Sequence, residues 1–346
     1  MSMLRQDPLT GRWVIIAAGR SARPNEFPAQ VRDKSPRTDC PFCPGNEDQT
    51  TPEVLALGRS DDQPANGPGW RLRAFPNMYP ALVPVDSVAP FGVQEGQDEA
   101  LFGYASGLGR HEVVVYSTDH QASPAALQPD QLAELLIVLR DRARDFAIHP
   151  EVRYVSAFCN HGPEAGATLA HPHMQIIGAP EVPLLAVAKA ARFDAYRQQN
   201  GRCLVCEMEA VERKAGTRVI ATNDDWTGYA PWASRFPWEM LFVPRRHGAS
   251  LAQATDAELA ALAAVLAPSL QVLFGFHGDP SLNIVIHSAT VDRNGADEGA
   301  ESFHWHLEVL PRLSRPAGFE VGTGYTINSV VPEDVARWLR GEGVAS

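Results

Sequence analysis

His171, His173 and Gln175 take alternate positions in the stretch LAHPHMQIIG, residues 169–178. In a strand, alternate side chains share a face, so two imidazoles and an amide form one polar row, with Pro172, Met174 and Ile176 on the other side. A solvated edge strand that tolerates Pro172 is the plain reading of such a row. The chemical reading is group transfer. A neutral imidazole is a competent nucleophile near neutral pH, and a covalent intermediate divides one difficult transfer into two easier ones. An amide on the same face suits phosphoryl oxygens whose charge redistributes. The preceding loop, NHGPEAGATLA, adds Asn160, Gly166, Ala167 and Thr168, small and hydroxyl residues that let an anion approach the backbone.

The cysteines bear on the same row. Four of the five form two C-x-x-C pairs, Cys40/Cys43 and Cys203/Cys206. In a chain without a secretory layout at its start, such pairs read as metal-binding or redox-active rather than as structural disulfides. A tetrahedral zinc site needs two further ligands for each pair. An internal repeat nominates them: each half runs C-x-x-C, then a β-rich run ending in a His, then an apolar-periodic helix, then an H-x-H strand. This gives Cys40, Cys43, His120 and His171 for one site and Cys203, Cys206, His247 and His304 for the other. His171 as a ligand would pin the strand that presents His173. The second H-x-H stretch, FHWHLEVLP, puts Trp305 where Pro172 stands and Glu308 where Gln175 stands. A carboxylate there would repel a phosphate, so only the first half reads as armed. Cys159 reads as packing, and His111, His149, His161 and His277 read as surface or loop histidines.

The elements that must position these groups follow from periodicity. RWVIIAA, HEVVVYS, RYVSAFCN and HMQIIGA read as strands, with a helix over PDQLAELLIVLRDRARDFA; EMLFVP, LNIVIHS and HWHLEVL are strands of the second half, with a helix over DAELAALAAVLAPSLQVLFG. Strand pairs flanking one helix in each half predict an α+β fold of two histidine-triad-like repeats, each a largely antiparallel sheet with packed helices. The expected division is residues 1–195 and 196–346. SDDQPANGPGW and FGVQEGQDEA read as loops. No G-x-G-x-x-G or P-loop pattern follows a strand. The 346 residues carry a formal net charge of −11, which argues against nucleic acid as the main partner. No apolar run approaches the ~18–20 residues of a membrane span. We expect a cytoplasmic protein with a small-molecule substrate and no membrane partner.

Several stretches together resemble the galactose-1-phosphate uridylyltransferase family of the histidine-triad superfamily: DPLTGRWVIIAAGRSARP, CPFCPGNE, FPNMYPAL, NHGPEAGATLAHPHMQ and AGFEVGTGYTINSVVPEDVARWL. The resemblance implies that His173 takes UMP from UDP-glucose as a uridylyl-histidine, releases glucose 1-phosphate and passes UMP to galactose 1-phosphate in a ping-pong cycle. It implies that Gln175 and Thr168 bond the transferred phosphoryl group, that Asn77 and Asn160 line the nucleotide pocket, that Arg23 contacts phosphate, and that Glu320 contacts the hexose. It also implies zinc at Cys40, Cys43, His120 and His171, and a homodimer. The second C-x-x-C resembles the ADP-glucose phosphorylase branch, with zinc, or iron in its place, at the second site. Met78 after Asn77, and no glutamine soon after Glu320, depart from the uridylyltransferase pattern. An ADP-glucose-type phosphorylase or adenylyltransferase is therefore the alternative, ahead of a zinc hydrolase and a non-catalytic zinc- or nucleotide-binding protein.

Overall fold

The computed structural model describes residues 2–22, 39–60, 62–85, 101–103, 107–292 and 294–343. Arg23 and the loop FGVQEGQDEA lie outside the described residues. The first half builds β1 (Met3–Gln6), β2 (Trp13–Ile16), β3 (Leu55–Leu57), β4 (Leu72–Pro76), β5 (Arg110–Val115), α1 (Pro129–Ala147), β6 (Tyr154–His161) and β7 (His173–Ala179). Two helices, α2 (Leu184–Asn200) and α3 (Leu204–Ala215), carry the chain onward. The second half adds β8 (Val219–Thr222), β9 (Trp226–Tyr229), β10 (Met240–Pro244), α4 (Asp256–His277), β11 (Leu282–His287) and β12 (His306–Pro311). It closes with α5 (Gly318–Thr323), β13 (Thr326–Asn328) and α6 (Pro332–Leu339).

The repeat becomes a palindrome. The main sheet runs β3-β4-β5-β7-β6-β11-β12-β10-β9-β8, so each strand of one half has its counterpart at the mirrored place in the other. All its pairs are antiparallel, and β6 meets β11 at the centre with Asn160 opposite Asn283. The halves are therefore fused through one ten-stranded sheet rather than resting on two separate ones. A second sheet, β1-β2-β13, ties both chain ends together. Residue 195 of the expected division falls inside α2.

One face of the main sheet carries α1 and α4. Val114, Ala157, Cys159, Met174 and Ile176 point there from the first half, and Phe242, Ile284, Ile286, Leu307 and Val309 from the second, all in one core. α1 spans the predicted residues; its apolar positions Leu132, Leu135, Leu136 and Leu139 recur at helical spacing and are buried. α4 starts at a capping box in which the Thr255 hydroxyl accepts from Glu258 N–H and the Glu258 carboxylate accepts from Thr255 N–H. By length and composition α4 could cross a membrane, contrary to the sequence expectation. Here its apolar side chains form the layer that both halves share.

The period-2 alternation sends the remaining side chains to the opposite face. In the first half these are His111, Val113 and Val115 of β5, His173 and Gln175 of β7, and Phe158 and Asn160 of β6. In the second half they are Asn283, Val285 and His287 of β11, with His306 and Glu308 of β12. α2 and α3 lie on that face of the second half, where Phe193, Leu204 and Val205 pack with Tyr229, Leu241 and Val243.

Candidate active site

His173 begins β7 and is buried. Its Nδ1 lies 2.8 Å from the backbone carbonyl of His171, which can only accept, so the proton sits on Nδ1 and the lone pair on Nε2. Burial holds the imidazole below its ordinary pKa, the carbonyl bond opposing, so the ring is neutral at pH 7. A neutral ring with a bare Nε2 is the form that attacks phosphorus.

His171, two residues earlier, is turned into a cluster with Cys40, Cys43 and His120, whose ligand atoms all lie within 4.8 Å of one another. Cys43 Sγ is 3.4 Å from His120 Nδ1 and 3.5 Å from His171 Nδ1. Tetrahedral zinc with ordinary bond lengths has an S···N edge of about 3.6 Å, so the donor set fits. His171 Nε2 donates to Ser117 O at 2.8 Å, which leaves Nδ1 free to ligate and gives the partner that metal-bound histidines ordinarily have. Phe42, inside the C-x-x-C turn, sets its ring edge-on to His173 with centroids 5.3 Å apart. The cluster thus braces His173 from two sides: the His171 carbonyl and the Phe42 ring.

The second cluster repeats the design. Cys206 Sγ is 3.5 Å from His247 Nδ1 and 3.2 Å from His304 Nδ1, and Cys203 Sγ is 3.7 Å from His304 Nδ1. His304 Nε2 donates to Pro244 O and His247 Nε2 to Ala300 O, both at 2.9 Å. The adjacent Cys203 and burial push the Cys206 thiol up, and burial with Cys40 pushes Cys43 up to about 11. Each pair keeps a proton that a bound cation displaces.

Around His173 the polar groups form a connected set. Gln175 Oε1 lies 2.8 Å from His111 Nε2, and Asn77 Nδ2 lies 3.2 Å from the same nitrogen. Asn160 Oδ1 accepts from Asn283 Nδ2 at 2.7 Å across the centre of the sheet. Gly162, at φ +80°, opens the 162–168 loop where a Cβ would lie 2.2 Å from Ser281 Oγ. The N–H groups of Gly166 and Ala167 donate to Pro163 O and Gly162 O, so these residues shape the loop, contrary to the expectation that they offer N–H groups to an anion. Thr168 is exposed at the loop's end. Glu320 is set apart. It sits in α5, its carboxylate accepting from Ala317 N–H, beside a hollow of about 490 Å³ lined by Arg20, Arg235, Arg315 and Phe319. An Arg315–Glu164 ion pair joins that segment to the 162–168 loop.

The mirrored position in the second half has the same imidazole geometry and a different fate. His306 Nδ1 donates to His304 O at 2.9 Å, as His173 does to His171. Its Nε2, however, receives the Lys189 ammonium of α2 at 2.8 Å. Lys189 also pairs with Glu308 at 3.1 Å, and Glu308 pairs with Arg235 at 2.6 Å and His287 at 3.1 Å. Burial would raise the Glu308 pKa, but Arg235 and Lys189 hold it well below the carboxylate range. The two halves therefore differ at this position. In the second half Glu308 is paired with Lys189 and Arg235, contrary to the expectation of a free repelling carboxylate, and the His306 lone pair is occupied.

A sequence profile of the galactose-1-phosphate uridyl transferase N-terminal domain matches residues 1–183, and the profile of the C-terminal domain matches residues 189–328. The chain belongs to the galactose-1-phosphate uridylyltransferase family. Among its relatives, an ADP-glucose phosphorylase of Arabidopsis thaliana is 32% identical over 346 residues, covering 97% of this chain and 92% of that protein. The galactose-1-phosphate uridylyltransferase of Thermotoga maritima is 30% identical over 355 residues, covering 98% of each. Among solved structures, the Arabidopsis ADP-glucose phosphorylase with bound ADP-glucose superposes with a TM-score of 0.81 at 30% identity over the whole of both chains. A uridylyltransferase structure gives 0.73 at 25% identity, covering 99% of this chain and 98% of that one.

Two residues of this uridylyltransferase-family site escaped the sequence reading. His111 is buried, not superficial, as is His161, which pairs with Asp279 at 2.7 Å. The alternation of HEVVVYS places His111 on the face of Val113 and Val115, which was the available signal. Lys189 had none, because a lone lysine in a helix reads as solvated.

Two outcomes follow from the burial of these charges. Lys189→Met removes one partner of a buried network and is expected to cost about 3 kcal/mol in urea unfolding; an unchanged midpoint would contradict the network's role. His111, His173, His277, His287 and His306 all have their pKa lowered, burial being the main cause in each. The unfolded chain then binds more protons below the ordinary value of about 6.5. The stability these rings contribute is present above that value and lost as the pH falls through their lower folded values. Urea midpoints should hold between pH 8 and 7 and fall from pH 6.5 to 5; a rise on acidification would contradict this.

Proposed function

We propose that the chain is a sugar-nucleotide nucleotidyltransferase working through a covalent nucleotidyl-His173. The observation that carries this reading is the His173 tautomer: Nδ1–H on the His171 carbonyl and a bare Nε2 in a neutral ring. Nε2 attacks the α-phosphorus of a nucleoside diphosphate hexose, the bond to the bridging oxygen breaks, and hexose 1-phosphate leaves. As the ring gains positive charge, the His171 carbonyl strengthens its bond to Nδ1–H. Gln175, with Thr168, donates to the phosphoryl oxygens. Attack by an acceptor phosphate then restores the free imidazole.

The family supports UDP-glucose as donor and galactose 1-phosphate as acceptor, giving UDP-galactose and glucose 1-phosphate. Asn77, Asn160 and the 162–168 loop would receive the nucleotide, with Arg23 on phosphate and Glu320 on the hexose of a site completed in a homodimer. A second reading keeps His173 and takes ADP-glucose, with inorganic phosphate as acceptor. The likeness to the Arabidopsis ADP-glucose phosphorylase over the full chain favours it. Zinc fits both Cys₂His₂ sets, and with four protein ligands each it would supply cross-links rather than an open coordination position.

Two experiments test these assignments. Brief exposure to UDP-glucose or ADP-glucose, followed by intact-protein mass spectrometry without acid, should give a nucleotidyl adduct that His173→Asn abolishes. A uridylyl adduct supports the first donor and an adenylyl adduct alone supports the second; an adduct retained by His173→Asn would overturn the nucleophile. Metal analysis should find two zinc ions per chain. Cys203→Ser should lose one ion and keep most adduct formation, whereas Cys43→Ser should lose one ion and at least about 90% of the adduct rate, a tenfold or about 1.4 kcal/mol effect. Equal rates in the two variants would contradict the bracing role of the first site.

A further inference from the structure

An amide side chain faces two ways. Turned one way Gln175 presents two N–H donors to a phosphoryl oxygen; turned the other it presents a carbonyl oxygen that repels it. The hydrogen bonds around it settle the turn, starting from backbone groups whose roles are fixed. Ala81 N–H lies 3.1 Å from His111 Nδ1. A backbone N–H only donates, so Nδ1 bears the lone pair and the proton of the neutral ring sits on Nε2. That Nε2–H lies 2.8 Å from Gln175 Oε1, which accepts it.

Asn77 closes the alternative. Its Oδ1 accepts from Tyr79 N–H at 2.9 Å, so the group it holds 3.2 Å from His111 Nε2 is its amide nitrogen, also a donor. The His111 proton therefore has Gln175, and not Asn77, as its acceptor. Burial keeps the His111 ring neutral, and a second ring proton would point Nδ1–H at the Ala81 N–H. The sheet register explains the reach: Val113 stands opposite Gln175, and His111 is the diagonal neighbour on the same face. Among the described residues the Gln175 amide nitrogen makes no hydrogen bond, so both of its N–H groups remain for a ligand.

We infer that His111 is a positioning residue for the transfer: it holds Gln175 by the carbonyl so that the amide N–H groups face the phosphoryl site. This rests on the nucleophilic reading of His173. It assigns His111 a part in setting the rate of the covalent step.

The test is single-turnover formation of the nucleotidyl-His173 adduct, with UDP-glucose or ADP-glucose, whichever the wild-type protein uses. His111→Asn keeps an acceptor near Nδ1 for Ala81 N–H but ends short of Gln175. His111→Gln places an amide nitrogen near the Nε2 position. His111→Asn should slow adduct formation about 10- to 100-fold, less than the roughly 100- to 1,000-fold expected when a donor to the developing charge is removed outright. The donor concentration at half-maximal rate should stay within about threefold, since the contact serves the transition state and not ground-state binding. His111→Gln should recover most of the rate. In a Gln175→Ala background, His111→Asn should change the rate by less than about twofold, because the residue acts only through Gln175. A wild-type rate in His111→Asn, or the same slowing with and without Gln175, would overturn the inference and leave the nucleophile standing. No adduct in the wild-type protein would overturn both.

Discussion

The bond from His173 Nδ1–H to the His171 carbonyl is the constraint on which the rest of the site depends. It decides which ring nitrogen carries the lone pair, and therefore whether the imidazole attacks phosphorus or merely donates a hydrogen bond. A bond to the residue two positions back is weakly directed unless that residue is itself immobilised. Here it is immobilised through its side chain: His171 Nδ1 belongs to the Cys40, Cys43 and His120 cluster, and its Nε2 is anchored on Ser117. The same cluster holds Phe42 against the His173 ring. One residue thus serves two neighbours, its side chain belonging to the Cys₂His₂ cluster and its backbone carbonyl holding the His173 ring.

The second half shows what the same scaffold does when one interaction is added. His304 and His306 reproduce the geometry of His171 and His173 down to the carbonyl bond, and a second Cys₂His₂ cluster sits behind them. The difference arises from α2, which lies on this face of the second half and drives Lys189 between His306 and Glu308. The ammonium bonds two members, His306 and Glu308, of a His287, His306 and Glu308 set that could otherwise hold a cation, and Arg235 pairs with Glu308 and Glu239. The second half holds a buried ionic network at this position, and it is joined to the first half through the β6–β11 pairing and the common core.

Most of this was legible in the sequence because it is periodic or paired. The two C-x-x-C pairs, the two H-x-H strands and the helices that became α1 and α4 are all spacing signals, and they led to both Cys₂His₂ clusters. The fusion into one sheet was not legible, because β6 and β11 are each plausible sheet edges until they are seen to pair. Strands β1, β3, β4, β8, β9 and β13 were missed: they are three to five residues long, and the turns flanking them dominate the local composition. Lys189 and His111 were missed for a common reason. Each acquires its role from a residue more than sixty positions away, and nothing in its neighbours announces it. The small residues of the 162–168 loop were over-read, since a tight turn and an anion cradle share the same composition.

The claim that the His171 carbonyl sets the His173 tautomer is open to direct observation. A long-range ¹H–¹⁵N correlation spectrum of the zinc-loaded protein at pH 7, with the His173 ring assigned by its disappearance in His173→Asn, reports which ring nitrogen is protonated. The structure predicts a neutral ring with hydrogen on Nδ1 and an unprotonated Nε2. A ring protonated on Nε2, alone or together with Nδ1, would contradict the account at its root.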